Sequence, residues 1–147
     1  MPTNGYHNYV EDQVLTANPV KLVELLYRGA VDSIGAARRH LRAGDARSRS
    51  RAITKAMRIV TELSRSLDHP AGGPLSRHLE ELYGYILRLL IQANIQQSEP
   101  PLIEAERLLS TLLEAWSVCA AKETSSMNHP GEPKALSDDY EPVSCSY

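Results

Sequence analysis

The sequence has no Phe, one Trp and only two Cys in 147 residues. Few aromatics beside abundant Leu, Ile and Ala suit helix packing better than a sheet. Cys119 and Cys145 share no metal-ligand or redox spacing, and that spacing alone demands no disulfide. No run of about 18 apolar residues exists, so no membrane span is expected, and the polar first thirteen residues predict no signal peptide. The net charge of −2 supplies no global field toward nucleic acid or membrane. One cytosolic domain is the plain expectation at this length.

Catalytic constellations are also missing. His7, His40, His69, His78 and His129 fall mostly in turns, helix ends or the tail, none with the four-residue helical partner of a metal site. Glu80-Glu81 and Glu104-x-Glu106 are adjacent or near-adjacent carboxylates that do not face one another on a helix. Gly72-Gly73 lacks the following Lys-Ser/Thr of a phosphate loop, and no nucleophile elbow appears. The inventory points away from an enzyme and requires no cofactor and no metal.

What is present is helical periodicity. Asn18 stands where an N-cap belongs and Pro19 at the first helical position. Leu22, Val23, Leu26, Tyr27, Ala30, Val31 and Ile34 then recur at three- and four-residue spacing, which predicts a helix to about Ala43 with Gly44 as its stop. Asp45 caps a second helix over about 46–67, with a stripe of Ile53, Ala56, Met57, Val60, Leu63 and Leu67. Asp68 to Pro74 is a Pro/Gly breaker. A third helix is expected over 75–97 and a fourth, opened by Pro100-Pro101, over 102–121. Short links make neighbours antiparallel. The expected fold is therefore all-α: an up-down-up-down four-helix bundle over 18–121. Residues 1–17 precede it as a short cap segment. Residues 122–147 carry five acidic residues against two basic ones, a net −3, and read as a disordered tail.

Two surfaces stand out. The third helix is apolar on two sides, with Leu82, Ile86 and Leu90 on one and Leu87, Ile91 and Ile95 on another. A wide apolar arc either broadens the core or offers a groove for an amphipathic helix. Arg38, Arg39, His40, Arg42, Arg47, Arg49 and Arg51 cluster about the first helix–helix turn. They are either a solvated, dipole-complementing turn or a patch for acidic or phosphorylated partners; with no interleaved aromatics, nucleic acid is not expected.

Three blocks carry a resemblance. The first is Tyr6-x-x-Tyr9, Val14-Leu15-Thr16-Ala17-x-Pro19, Leu22 and Leu26-Tyr27-x-Gly29-Ala30. The second is Ala52-Ile53-x-Lys55-Ala56 through Ile59-Val60-x-Glu62-Leu63 to Leu67. The third is Leu82-Tyr83-x-Tyr85-x-x-Arg88-x-Leu90-x-x-Ala93-Asn94, and Trp116 fits as well. In register, they resemble the flagellar secretion chaperone FliS family over about residues 6–121. The chain departs from that pattern where Arg88-Leu89 replaces an Arg-Arg pair and Gln92 replaces Glu.

The resemblance implies a cytosolic export chaperone. It would bind the disordered C-terminal segment of flagellin, prevent premature polymerisation, and deliver the client to the cytoplasmic domain of the export gate FlhA. It implies Tyr6, Tyr9 and Val10 as a cap over the groove and a gate-docking element. For the groove itself we take Ile53, Met57, Val60, Leu63, Ile86, Leu90 and Ile91, with Arg88 and Asn94 either bonding the client backbone or fixing helix packing. A homodimer of the free protein stays open. The alternative is a helical adaptor or regulator that binds an acidic or phosphorylated protein through Arg38–Arg51.

Overall fold

A computed structural model describes residues 19–128, with side chains through 122. Four helices occupy this span: α1 (Pro19–Arg42), α2 (Ala46–Arg65), α3 (His69–Gln96) and α4 (Pro100–Asn128). There is no strand among the described residues. The expected disordered tail beyond 128, the cap segment and the Asn18 cap lie outside them.

Local chemistry sets most of the boundaries. Gly44 adopts φ 73°, Asp45 N–H donates to the His40 carbonyl at 3.0 Å, and Gly44 N–H donates to the Leu41 carbonyl at 3.1 Å. That pair of bonds is a Schellman stop, which needs a left-handed residue at the glycine position. Asp45 then accepts the Ser48 N–H at 3.1 Å and starts α2. This bond holds the Asp45 carboxyl below the usual carboxylate range.

Two boundaries differ from expectation. Helix α3 starts at His69 rather than Leu75, because Asp68 accepts the Ala71 N–H at 3.1 Å and caps a first turn. The breaker still acts inside it: Gly73 sits at φ 52°, ψ −129°, and Pro74 restarts the helix. A Cβ at Gly72 would lie 1.8 Å from the Ser76 hydroxyl, which is buried and donates to the Asp68 carbonyl. Helix α4 runs seven residues past Ala121 to Asn128. Its extension meets no Gly or Pro, and the first proline downstream is Pro130.

The helices form a ring in which α1 touches α2 and α4, and α3 touches the same two. Distant contacts fix the directions. Arg38, late in α1, bonds Glu99 and Glu106 at the start of α4, while Trp116, late in α4, donates to the Val20 carbonyl early in α1. Ser50, early in α2, meets Asn94, late in α3. Both pairs therefore run antiparallel. Small residues bring α1 and α2 together: the Gly29 Cβ position is 3.3 Å from the Ile59 side chain. The core between the four is aliphatic, centred on Ile34, Ile53, Val60, Leu63, Ile86, Leu90, Leu102 and Leu109. Across it the Tyr27 and Tyr83 hydroxyls hydrogen-bond, which satisfies both polar ends inside an apolar interior. Gly84 is not at a close helix approach, since a Cβ there would meet only the Arg88 guanidinium at 3.6 Å; nothing in the structure explains it.

Candidate functional site: apolar surface on α3 and at one end of the bundle

The structure divides the expected groove residues into two sets. Ile53, Val60, Leu63, Ile86 and Leu90 are at most 1% exposed. They are core, and they line no open groove in this form. Periodicity could not separate them from surface aliphatics, because both recur at helical spacing. Met57 is half-buried against the core, while Ile91 is 44% exposed. Ile95, one turn further, is 75% exposed. With half-buried Leu87 one turn before, they make an aliphatic stripe along the outside of α3. The second apolar side of the third helix is therefore real, and it faces outward.

The two polar residues of the expected groove have separate surroundings. Asn94 accepts from the Ser50 hydroxyl at 3.0 Å and from Arg49 Nε at 3.4 Å. It fixes the packing of α3 on α2. Arg88 is exposed, its guanidinium 5.9 Å from the ring centroid of Tyr85. The Tyr85 hydroxyl donates to Glu104 on α4, which pushes the phenol pKa up. Tyr6, Tyr9 and Val10 lie outside the described residues.

The arginine cluster does not survive as one patch. Arg38 donates to Glu99 at 3.1 Å and to Glu106 at 2.8 Å, and Arg42 also bonds Glu99. These carboxylates hold Arg38 charged, and Arg42 holds the Glu99 carboxyl below its usual range. Arg49 is buried on Asn94. Three of the seven residues are thus structural latches. Nothing in the helical period could reveal this, because their partners lie 45 to 68 residues away.

A second apolar surface lies where α1 begins and α4 nears its end. Pro19, Val20, Leu22, Val23, Leu26, Ser66 and Trp116 line a pocket of about 150 Å³. Trp116 Nε1–H donates to the Val20 carbonyl at 2.7 Å across its wall. Glu24 on α1 is buried. Burial alone would raise its pKa, but hydrogen bonds from Arg28 and Lys21 prevail and hold it below the ordinary value. No cluster of three potential metal ligands exists among the described residues, and no described helix is long and apolar enough to cross a membrane.

Residues 2–123 match the family model described as flagellar protein FliS. The chain is 38% identical over 114 residues to the flagellar secretion chaperone FliS of Salmonella typhimurium, covering 77% of this chain and 84% of that protein. It is 31% identical over 120 residues to the FliS of Campylobacter jejuni, covering 82% of this chain and 94% of that one. The Bacillus subtilis FliS is 29% identical over 128 residues, covering 87% and 95% respectively.

Proposed function

This chain belongs to the FliS family of flagellar secretion chaperones, not to a family of enzymes, and from that premise we propose that it is a cytosolic chaperone for the C-terminal segment of flagellin. It holds that disordered segment folded against the bundle, which withholds it from polymerisation, and presents the complex to the cytoplasmic domain of FlhA. Tyr6, Tyr9 and Val10 are the docking element on this reading.

The exposed stripe on α3 carries the proposal. A stable bundle has no use for the exposed parts of Ile91 (44% exposed) and Ile95 (75% exposed) in water, where Ile91 gives up about 1 kcal/mol and Ile95 about 1–2 kcal/mol of possible burial. A segment that folds on binding needs such a surface, because ordering it costs several kcal/mol that apolar burial must offset. Of the groove residues, Met57 and Ile91 are the ones a client reaches without opening the bundle, with Leu87 and Ile95 beside them. Ile53, Val60, Leu63, Ile86 and Leu90 act from beneath, by holding that surface in place. The reading through Arg38–Arg51 is less favoured, since Arg38, Arg42 and Arg49 are already engaged.

Titration calorimetry against the last ~40 residues of the flagellin encoded with this chain tests it, a length that spans two helices of ordinary size. A 1:1 complex with favourable enthalpy and a negative heat-capacity change is expected. The double variant Ile91→Ser/Ile95→Ser should fold normally and bind the segment at least about tenfold more weakly, the equivalent of about 1.4 kcal/mol. No heat at two temperatures with the bundle folded would overturn the client assignment.

A further inference from the structure

Charge is distributed unevenly over the bundle. Helix α2 carries six basic residues, Arg47, Arg49, Arg51, Lys55, Arg58 and Arg65, against the single acid Glu62, a net +5. The whole chain is −2. Arg49 is buried on Asn94, but the other five point into solvent. None of these five enters a salt bridge among the described residues, although bridges form elsewhere on α1, α3 and α4.

Position turns this excess into a surface. Arg47, Arg51 and Arg58 are spaced by four and seven residues, so they share one face of α2 over about 17 Å. Asn94 pins α3 to Ser50. From that anchor the antiparallel register runs the outer side of α2 alongside Leu87, Ile91 and Ile95. An aliphatic strip therefore lies beside a row of cations that no salt bridge engages among the described residues. Thr54 and Lys55 are the exposed residues between Arg51 and Arg58. Glu62, four residues after Arg58, is the single acid of the helix on that face, and Asp45 at the helix start feels the charge of Arg51, so the row keeps a net positive charge.

We propose that this strip and row select one kind of occupant: an amphipathic helix of the client whose apolar face lies on Leu87, Ile91 and Ile95 and whose flank toward α2 is acidic. The inference rests on the client reading and adds the chemistry by which the segment is recognised and its direction fixed. Apolar burial on the strip supplies affinity without specifying orientation. The cation row supplies orientation and rate, because complementary charges steer encounter and penalise the reversed helix. Exposed pairs are individually weak, so the effect depends on the row acting together and must fade with salt.

The test uses the full-length chain and the same C-terminal flagellin segment, with affinity measured in 0.1 M and 1 M salt. The screening length falls from about 10 Å to about 3 Å between these conditions. Arg47→Glu/Arg51→Glu/Arg58→Glu should weaken binding at least about tenfold at 0.1 M, and the loss should shrink to about threefold or less at 1 M. The control Arg77→Glu/Arg107→Glu/Lys122→Glu makes the same change in net charge at exposed positions on α3 and α4, and should bind like the parent. Should the Glu triple misfold by circular dichroism, the glutamine triple at the same three arginines replaces it, with a smaller loss of the same salt dependence expected.

Failure of the parent chain to bind the segment would refute the client reading itself. Parent-like binding by the row variant, or equal loss in the control, would overturn the present inference and leave the client reading standing. Two results would assign the row to another occupant and overturn it as well. One is a gain in affinity on removing residues 129–147 that the row variant abolishes. The other is a dimer of the free chain that the row variant dissociates.

Discussion

The two ends of this bundle are built differently. Where α1 ends, α2 begins, α3 ends and α4 begins, Ile34, Ala37, Ile53, Leu90, Ala93, Leu102 and Ala105 are at most 1% exposed. Polar latches surround them: Arg38 and Arg42 on Glu99, Arg38 on Glu106, Ser50 and Arg49 on Asn94, and Asp45 on the Ser48 N–H. At the opposite end α4 has no buried residue between 110 and 122. Leu112, Leu113 and Trp116 are half-buried there, and Leu75 and Val118 are about half exposed. The first end settles helix register, which needs directional bonds and full packing. The second leaves more of its apolar side chains only half-buried, so its packing is looser. Helix register is thus set at one end, while exposed aliphatics occur at both: Ile91 and Ile95 on the outside of the closed end, Leu75 and Val118 at the looser one.

Truncation should reveal the contrast most strongly. Leu90→Ala, at the closed end, should lower stability by about 3–4 kcal/mol, while Leu113→Ala, half-buried at the other, should lower it by about 1–2 kcal/mol. Urea titrations of both variants measure the gap, and equal losses would show that the two ends are packed alike. Trp116→Phe keeps the aromatic volume but removes the bond to the Val20 carbonyl. A loss of about 1 kcal/mol is expected. As the only tryptophan, Trp116 also reports on that end: an unchanged emission in a saturated flagellin complex is expected for a client confined to the stripe of Ile91 and Ile95, and a shift would extend the client to the looser end.

Acid should loosen the closed end through Asp45 and Glu99. Both carboxyls have folded pKa values below their unfolded ones. Their stabilisation is therefore full above the unfolded value near 4 and is lost as pH falls through the folded values. Melting temperatures between pH 6 and pH 2.5 should fall, and Glu99→Gln should lower the melting point at pH 6 while flattening the acid limb. An acid limb as steep as the parent's would remove Glu99 from the account. The smallest expected effect is a gain. Gly84 is helical with an ordinary φ and space for a Cβ, so Gly84→Ala should stabilise the free chain by about 0.5–1 kcal/mol. Gly84 lies one turn from Arg88 on the outward side of α3. A simultaneous drop in client affinity would extend the binding surface toward the looser end.

Much of the architecture was legible before any coordinates. The Gly44 stop and the Asp45 cap stand where the sequence placed them, because caps and Schellman turns are decided by a few adjacent residues. The start of α3 is not legible in the same way, since a Gly/Pro cluster reads as a breaker even when Asp68 caps a turn within it. The end of α4 is not legible either, because residues 122–128 carry no apolar stripe to mark them, yet they contain no Gly or Pro to stop the helix.

The site was less legible, and for a physical reason. A helical period states that an apolar face exists, not which neighbour covers it. The sequence by itself determined four amphipathic helices, their short links, the second apolar side of α3 and the basic excess of α2. All of these follow from local spacing and composition. Only the tertiary structure decided that Ile86 and Leu90 are core while Ile91 and Ile95 remain in water, and that Arg38, Arg42 and Arg49 are latches while Arg47, Arg51 and Arg58 are not. Burial and pairing depend on residues brought together from distant parts of the chain, and no local pattern carries that information.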